Sequence, residues 1–415
     1  MIRYRWAGQA DRTELLDLIA AGFTIRPDGR FDARQGQEYR ILFTYLYSRP
    51  TWQPELVVVV EVDRRLVAAV GFFPQQLTMG AANLPIWAVS PVVVHPDQQG
   101  QGYGGKCLTQ GLALLSARGV PAVFLWGIPE FYPKFGFVPL FPRYKTKLAK
   151  ARLRQGATSI PGKLRPWQTA DLPAVAALYN LRAAHLWLQP RRTFQWWTER
   201  VAEMDIELAD LKEVPFPKKE NLQVWENLNG ETVGYLYYSD PMGKEPLTIT
   251  EAAAGDYPTA AAMLVAMLER FVPPQQTIVI RGTPDHYLNM AAYRLGGTHV
   301  NPAPLAGMLK ILDWPAFIAR LNQAYAGSSG ENEVKPSVVV PFRSGQVVWE
   351  LQASPAGVKV TKANASPLVT EAQLTRMVFG LADAAEWEAL PLQAQALRHF
   401  FSSHYPFIWD ANYLY

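Results

Sequence analysis

The hydrophobic and polar positions of the first third of the chain switch between two periods. Ile2 to Trp6 reads as extended chain. Asp11 then stands where a helix N-cap belongs, and Leu15, Leu16, Leu18 and Ile19 follow at helical spacing. Leu56 to Val62 reads as a strand, Asp63-Arg64-Arg65 as a turn and Leu66 to Phe73 as the returning strand. A second turn is expected near Gly80 to Asn83, and a further strand from Trp87 to Val94, ended by Pro96. A helix is expected from about Gly104 to Arg118, and a last strand from Val120 to Trp126. The order β-α-β-β-β-α-β joins hairpins to one crossover helix, which predicts a mixed α/β sheet.

A fainter version of this pattern begins near residue 163. Arg5 is followed six residues later by Asp11, then Leu15 and Leu18; Arg165 is followed six residues later by Asp171, then Val175 and Leu178. Val224 to Leu236, with Asn229-Gly230 at its turn, parallels Leu56 to Phe72, and Gly71 and Gly234 each follow a valine in the second strand. Either the chain holds two copies of one fold or the match is chance. Between the two lies Phe141 to Gly162, with Arg143, Lys145, Lys147, Lys150, Arg152 and Arg154. It reads as a solvated linker or edge strand, or else as a contact for an anionic partner. Beyond Leu305, Met308 to Ala324 reads as an amphipathic helix. Val338 to Phe342, Gln346 to Ala353 and Gly357 to Lys362 alternate like strands, and Thr370 to Leu381 and Leu390 to Phe401 read as helices. The closing residues carry Tyr405, Phe407, Trp409, Tyr413 and Tyr415, a density of rings expected to dock rather than stay exposed.

Composition narrows the classes. The 415 residues are 49% hydrophobic and 18% charged, far from the disordered range, and the length suggests two to four domains. A net charge of +4 from 40 basic and 36 acidic residues does not mark a nucleic-acid binder. One cysteine, Cys107, rules out an internal disulfide and a Cys-rich zinc site, and the six histidines form no His-x-x-x-His pair, so no metal is expected. The N-terminus turns charged at once, unlike a signal peptide, and the apolar run Ala260 to Leu268 is far too short to span a bilayer. A cytoplasmic protein is the expectation.

The segment with chemical content is Val92-Val93-Val94-His95-Pro96-Asp97-Gln98-Gln99-Gly100-Gln101-Gly102-Tyr103-Gly104-Gly105-Lys106-Cys107. Successive glycines let a backbone approach an anion, and the helix that follows offers unpaired N–H groups to phosphate. As a dinucleotide fingerprint, Gly100-x-Gly102-x-x-Gly105 stands too far from its strand, and Val123-Phe124-Leu125-Trp126 carries no acid. As a Walker A loop, Gly105-Lys106-Cys107 offers a thiol where Mg²⁺ needs a hydroxyl. A plain Gly-rich turn is a further reading. Gln99-Gly100-Gln101-Gly102-Tyr103-Gly104, between an apolar strand and a helix, resembles instead the acetyl-CoA pyrophosphate loop of the GNAT acetyltransferases. A second segment, Trp126-Gly127-Ile128-Pro129-Glu130-Phe131-Tyr132-Pro133-Lys134-Phe135-Gly136-Phe137, resembles the later motif of the same family.

The whole chain resembles the Eis-type (enhanced intracellular survival) acetyltransferases. That resemblance implies an α/β (α+β) chain in three parts: a catalytic GNAT domain over 1–145, a degenerate GNAT-like domain over 146–305 and a sterol-carrier-protein-like domain over 306–415. Tandem mixed, mostly antiparallel sheets are expected in the first two. Ala252-Ala253-Ala254-Gly255 stands where a second glycine loop would be, so the second domain should not bind CoA. The resemblance implies acetyl-CoA as co-substrate, gripped by Gln99, Gly100, Gln101, Gly102, Tyr103, Gly104 and Gly105, with Val92, Val93 and Val94 along the pantetheine and a backbone N–H near Val94 at the thioester oxygen. Tyr132 would protonate the departing thiolate, unless it is a packed core residue. The base would be the C-terminal carboxylate, here on Tyr415, with Glu130 in reserve. Cys107 reads as a core residue, since direct transfer needs no nucleophile. The acceptor would be a primary amine of an aminoglycoside- or polyamine-like molecule, or lysine. Trp187, Trp196 and Trp197 line either a pocket or a core. A CoA-binding sensor holding an apolar ligand in 306–415 is the alternative, and a hexamer is what the resemblance implies for assembly.

Overall fold

The computed structural model describes residues 1–24, 32–47, 53–79, 82–141, 144–152, 160–184, 186, 188–190, 192–204, 221–239, 246–300, 307–325 and 337–401. The first stretch runs β1 (Ile2–Trp6), α1 (Arg12–Gly22), α2 (Ala33–Leu46), β2 (Val57–Val62), β3 (Arg65–Met79), β4 (Ala82–Val94), α3 (Tyr103–Ala117), β5 (Ala122–Trp126), β6 (Val138–Phe141) and β7 (Lys145–Ala149). The second runs β8 (Lys163–Pro166), α4 (Leu172–Ala183), β9 (Gln189–Pro190), α5 (Phe194–Met204), β10 (Leu222–Glu226), β11 (Thr232–Ser239), β12 (Thr248–Ala254), α6 (Tyr257–Phe271), β13 (Thr277–Arg281), α7 (Tyr287–Arg294) and β14 (Thr298–Val300). The third runs β15 (Gly307–Ile311), α8 (Trp314–Tyr325), β16 (Val338–Ser344), β17 (Val347–Ser354), β18 (Gly357–Lys362), β19 (Val369–Thr370), α9 (Glu371–Val378), α10 (Ala384–Glu388) and α11 (Leu392–Gln395). The expected α/β class with mixed, mostly antiparallel sheets is what these strands build.

The sheets do not follow the order of the chain. The first has the order β1-β2-β3-β4-β5-β15-β6, so a strand from beyond residue 306 lies between two strands of the first stretch. The second has the order β14-β7-β13-β12-β11-β10-β8, so β7 from the first stretch lies between two strands of the second. The first sheet therefore receives an internal strand from after its own stretch, and the second receives one from before it. β15 pairs antiparallel with β5 through Gly307↔Trp126 to Ile311↔Ala122, and with β6 through Gly307↔Phe141 to Leu309↔Val138. β7 pairs antiparallel with β13 through Thr277↔Ala149 to Arg281↔Lys145, and with β14.

Two expectations are corrected here. Met308 to Ile311 is not the start of a helix: it is a strand, and the helix begins at Trp314. An apolar run this short has no period that separates strand from helix, and tertiary pairing decided. The basic segment around Lys145 is neither linker nor edge. It alternates, with Thr146 and Leu148 buried at 1% and 0% while Lys147 stays exposed, which suits an internal strand with one solvated face. The lysine that follows it, Lys150, donates from Nζ to the carbonyls of Leu268 and Val272, each at 2.6 Å, and so satisfies the C-terminus of α6.

β3 and β4 run on past their expected ends as one long hairpin, paired from Ala68↔Val94 to Met79↔Ala82. Gln75 and Gln76 break the apolar pattern, but Leu77, Met79, Leu84 and Ile86 beyond them are fully buried. They pack in one cluster with Trp314, Phe317, Phe342, Leu351 and Phe379 of the third stretch. Burial of each such side chain contributes about 1.5–3 kcal/mol. The strand β9 pairs onto this hairpin at Leu77↔Pro190 and Thr78↔Gln189.

The arginine that follows β9 fixes it from the other side. Arg192 is 1% exposed, and its Nη1 donates to both carboxylate oxygens of Glu251 at 2.8 Å. Tyr235 Oη donates to the same carboxylate at 2.7 Å, and the guanidinium lies 4.0 Å and 4.3 Å from the ring centroids of Tyr179 and Trp196. Trp197 completes this aromatic wall at 3% exposure, so Trp196 and Trp197 belong to the packed second unit; Trp187 lies outside the described residues.

The two arginine–aspartate spacings of the sequence become two ion-paired clamps. Arg5 donates to Asp11 at 2.6 and 2.9 Å and from Nε to Glu61 at 3.0 Å. Arg165 donates to Asp171 at 2.8 and 2.9 Å and from Nε to Glu226 at 2.5 Å. Asp11 stands at the N-cap position of α1, yet its carboxylate turns back to Arg5 and to the Gly8 N–H at 2.6 Å instead of capping the helix.

Two outcomes follow. Arg192→Ala leaves Glu251 buried without its cation and should destabilise the protein by about 3–5 kcal/mol in urea unfolding, with a smaller loss when Glu251→Leu is added. Hydrogen bonds from Arg5 hold the Asp11 carboxyl below its ordinary range. That contribution is present above the unfolded value of about 3.9 and is lost as pH falls through the folded one. Asp11→Asn should therefore flatten the acid limb of a stability–pH profile measured by thermal unfolding.

Candidate active site

β4 and β5 are the one parallel pair of the first sheet, joined at Ile86↔Ala122, Trp87↔Val123 and Ala88↔Phe124. Pairing stops at Ala88↔Phe124, while β4 continues to Val94 and β5 to Trp126, so the two strands part toward their C-terminal ends. Helices pack closely on both faces of β4 at this end. Val93 turns toward α1, where a Cβ on Gly22 would lie 2.0 Å from its methyl, and Val94 turns toward α3, where a Cβ on Gly104 would lie 2.9 Å from its methyl. Val92 and Val94 are half-buried and Val93 is buried.

The eight residues 95–102 carry the chain from β4 to α3. Gly100 and Gly102 both hold φ of +79°, a left-handed conformation that disfavours any side chain. Nothing lies within 4 Å of where their Cβ atoms would be, so both face open space. Gly104 and Gly105 serve close packing instead: a Cβ on Gly105 would meet the Phe135 ring at 3.0 Å. Gln99 and Gln101 are exposed, and Tyr103 is buried at the first position of the helix. Lys106 N–H bonds back to Gly102 at 3.1 Å, leaving the N–H groups of the first turn to a ligand at the positive end of a 15-residue helix.

Tyr132 opens a short 3-10 turn (Tyr132–Phe135) that ends at Gly136 with φ of +83°. Its ring lies on Gly127, where a Cβ would fall 2.2 Å from Cε2, and packs edge-on to Phe131 and Phe137 at 5.0 and 5.9 Å. Burial pushes its phenol up to about 12, so the group is a proton carrier at neutral pH and not an anion. Glycine loop, parting strands and Tyr132 thus belong to consecutive elements of one sheet, and Phe135 touching Gly105 ties the tyrosine turn to the start of α3.

The other candidates separate from this group. Cys107 is fully buried, donates to the Val58 carbonyl at 3.2 Å, and burial pushes its thiol up to about 12, so it is a core residue. Glu130 is exposed. Tyr415 lies outside the described residues. Among the described residues no group of His, Cys, Asp and Glu is placed to hold a metal, and no helix is long and apolar enough to cross a membrane.

One signal in the sequence was passed over. Gly127-Ile128-Pro129-Glu130-Phe131-Tyr132 after β5 has a counterpart in Gly282-Thr283-Pro284-Asp285-His286-Tyr287 after β13. There the parallel pair β12–β13 also parts, after Ile249↔Ile280. His286 occupies the second site: Nε2 donates to the Ala252 carbonyl at 2.9 Å and Nδ1 accepts from the Leu288 N–H at 3.1 Å. Burial lowers its pKa to about 4, so the imidazole stays neutral. Only Gly255 and Asp256 separate β12 from α6, and Asp256 caps the helix itself by accepting from Thr259 N–H at 2.8 Å.

Comparison with known proteins agrees with the first site. Residues 3–140 match the family described as acetyltransferase (GNAT) domain. An uncharacterized N-acetyltransferase of Escherichia coli, YjhQ, is 28% identical over 88 residues, covering 21% of this chain and 48% of its own; the chain thus spans about half the length of that curated relative. A conserved Enterococcus faecalis protein of unknown function, described as a probable N-acyltransferase, superposes with a TM-score of 0.73 at 17% identity over 99% of both chains. Eis1 from Mycobacterium abscessus superposes with a TM-score of 0.67 at 16% identity, over 98% of this chain and 99% of its own. At such identity these two structures establish a shared fold across the full chain. The parting strands, glycine loop and buried tyrosine all lie within residues 3–140, the stretch that matches the GNAT acetyltransferase domain.

Proposed function

We propose that the protein transfers an acetyl group from acetyl-CoA directly to a primary amine, of an aminoglycoside- or polyamine-like molecule or of lysine. The observation that carries this reading is the parting of β4 from β5, which opens between a glycine loop at a helix N-terminus and the buried Tyr132. The loop from Gln99 to Gly105 grips the pyrophosphate, through backbone N–H groups that the two left-handed glycines turn outward. The edge of β4 at Val92, Val93 and Val94 binds the pantetheine arm, and a backbone N–H near Val94 holds the thioester oxygen as charge develops there.

The acceptor's ammonium gives up a proton to a base, for which Glu130 is the candidate among the described residues, and the neutral amine attacks the thioester carbon. The C–S bond breaks, the thiolate takes the proton of Tyr132, and the second proton leaving the nitrogen returns through solvent to the phenolate. A phenol pushed up to about 12 keeps that proton until the leaving group needs it. The same dry surroundings that raise the phenol raise the basicity of a thiolate beside it. In the same reading the chain divides into a catalytic unit over 1–145, a degenerate copy over 146–305 and a sterol-carrier-like unit over 306–415, with β15 of the third unit lying in the sheet of the first. The matched Arg5 and Arg165 clamps and the repeated Gly-x-Pro-acid segment support the copy, and the short turn at Gly255-Asp256, with His286 in the cleft, supports its inability to hold CoA. The third unit's interior is filled by Phe317, Phe342, Leu351 and Phe379, each fully buried, which favours the enzyme over an apolar-ligand sensor.

Two measurements test this. Tyr132→Phe should lower kcat by roughly 10²–10⁴-fold, read as free thiol released with an amine panel, while acetyl-CoA still binds; unchanged turnover would remove Tyr132 from the mechanism. Gly102→Ala places a side chain at a φ of +79°. It should weaken CoA binding in titration calorimetry by about 5–30-fold, the equivalent of 1–2 kcal/mol of left-handed strain.

A further inference from the structure

The second sheet covers a guanidinium whose best binding edge has no partner. Arg192 is 1% exposed, and only its Nη1 is engaged, on the two carboxylate oxygens of Glu251 at 2.8 Å. Its Nε and Nη2 are buried and meet no acceptor among the described residues. These two nitrogens form the side-on fork that matches a carboxylate through two parallel hydrogen bonds. A second donor of the same cluster is in the same condition: Trp197 is 3% exposed, and its Nε1–H also lacks an acceptor. Buried donors in folded proteins are satisfied as a rule, so unpaired donors gathered in one cluster point to an acceptor that the chain itself does not supply.

The fork is held before anything binds to it. Asn180 fixes the Arg192 backbone, accepting from its N–H at 3.4 Å and donating to its carbonyl at 2.8 Å. The rings of Tyr179, Trp196 and Trp197 stand 4.0, 4.3 and 5.1 Å from the guanidinium carbon, and Glu251 anchors the edge away from the fork. A group so constrained loses little freedom when its remaining edge is used. The place is the gap between two strands. β12 and β13 pair at Thr248↔Val279 and Ile249↔Ile280, and Glu251 stands two residues farther along β12, where the strands have parted. The face is the one on which Tyr235 and Ala253 pack with Val175 and Tyr179 of α4 and Trp197 of α5. Trp196, the half-buried ring of the set, is its solvent side.

We propose that the Nε/Nη2 edge of Arg192 binds a small monocarboxylate, a ligand site of the second sheet distinct from the glycine loop and Tyr132 of the first. Burial sets the size, because the ligand has to fit among the three rings that flank the guanidinium. Charge sets the strength. The single positive charge is shared with Glu251, so the two carboxylates repel each other across it, and the Tyr235 hydroxyl on Glu251 at 2.7 Å offsets part of that repulsion. The site stands independently of acetyl transfer.

The probe is sodium acetate, titrated into the full chain by calorimetry against sodium chloride at equal ionic strength. The wild type should bind acetate at one saturable site per chain. Glu251→Gln keeps the shape of the partner and removes the repelling charge, and it should tighten acetate binding by roughly tenfold. Arg192→Lys keeps a cation for Glu251 and removes the planar fork, and it should weaken binding by more than about tenfold. A crystal structure in acetate should show the carboxylate on both Nε and Nη2. Ordered water alone on that edge at saturating acetate would overturn the proposal. So would acetate present only at crystallisation concentrations, or an affinity that neither substitution moves. If Arg192→Lys does not fold, Glu251→Gln and the crystal structure decide.

Discussion

Main-chain hydrogen bonding across two seams governs the architecture. A strand buried between two others must satisfy both of its edges, and neither sheet here does so with its own consecutive strands. β6 and β5 are joined only through β15, and β14 and β13 only through β7. Removing either exchanged strand would expose two rows of unpaired N–H and C=O groups inside a sheet, not one edge at its rim. β15 also carries side chains into two cores at once: Met308 packs toward α3, and Leu309 and Ile311 pack toward the third unit. The parts of the chain are consequently bound by sheet hydrogen bonds and shared core, a tighter union than domains resting on one another's surfaces.

This coupling places the chemistry. The glycine loop, Tyr132 and the β4 edge all come from the first stretch, but the strand flanking β5 on its other side comes from the third. The second stretch contributes to the first sheet as well. It supplies β9, which extends the β3–β4 hairpin, and secures it with the buried Arg192–Glu251 pair. Where β12 and β13 part, His286 makes two hydrogen bonds of its own, to the Ala252 carbonyl and from the Leu288 N–H.

Much of this was legible from residue patterns. The strands around the first crossover helix, the glycine loop and the tyrosine turn follow local rules of periodicity and turn chemistry, and the structure places them within a few residues of expectation. The matched Arg5–Asp11 and Arg165–Asp171 spacings pointed to a repeat but not to the two ion-paired clamps, nor to Asp11 forgoing the helix cap for one of them. Long-range pairing was hidden. Nothing in Lys145–Ala149 or Met308–Ile311 announces an internal strand, because the partner that makes each of them one lies more than a hundred residues away.

The exchange also bears on how the molecule is made. β6 ends at Phe141, and the strand it must pair with begins at Gly307. At about 5–20 residues per second, the ribosome takes roughly 8–33 s to cover that interval. Through that time β5 and β6 have emerged with no neighbour between them, and β7 is waiting for β13. Closure of the catalytic sheet is therefore a late event in synthesis, gated by the arrival of a five-residue strand.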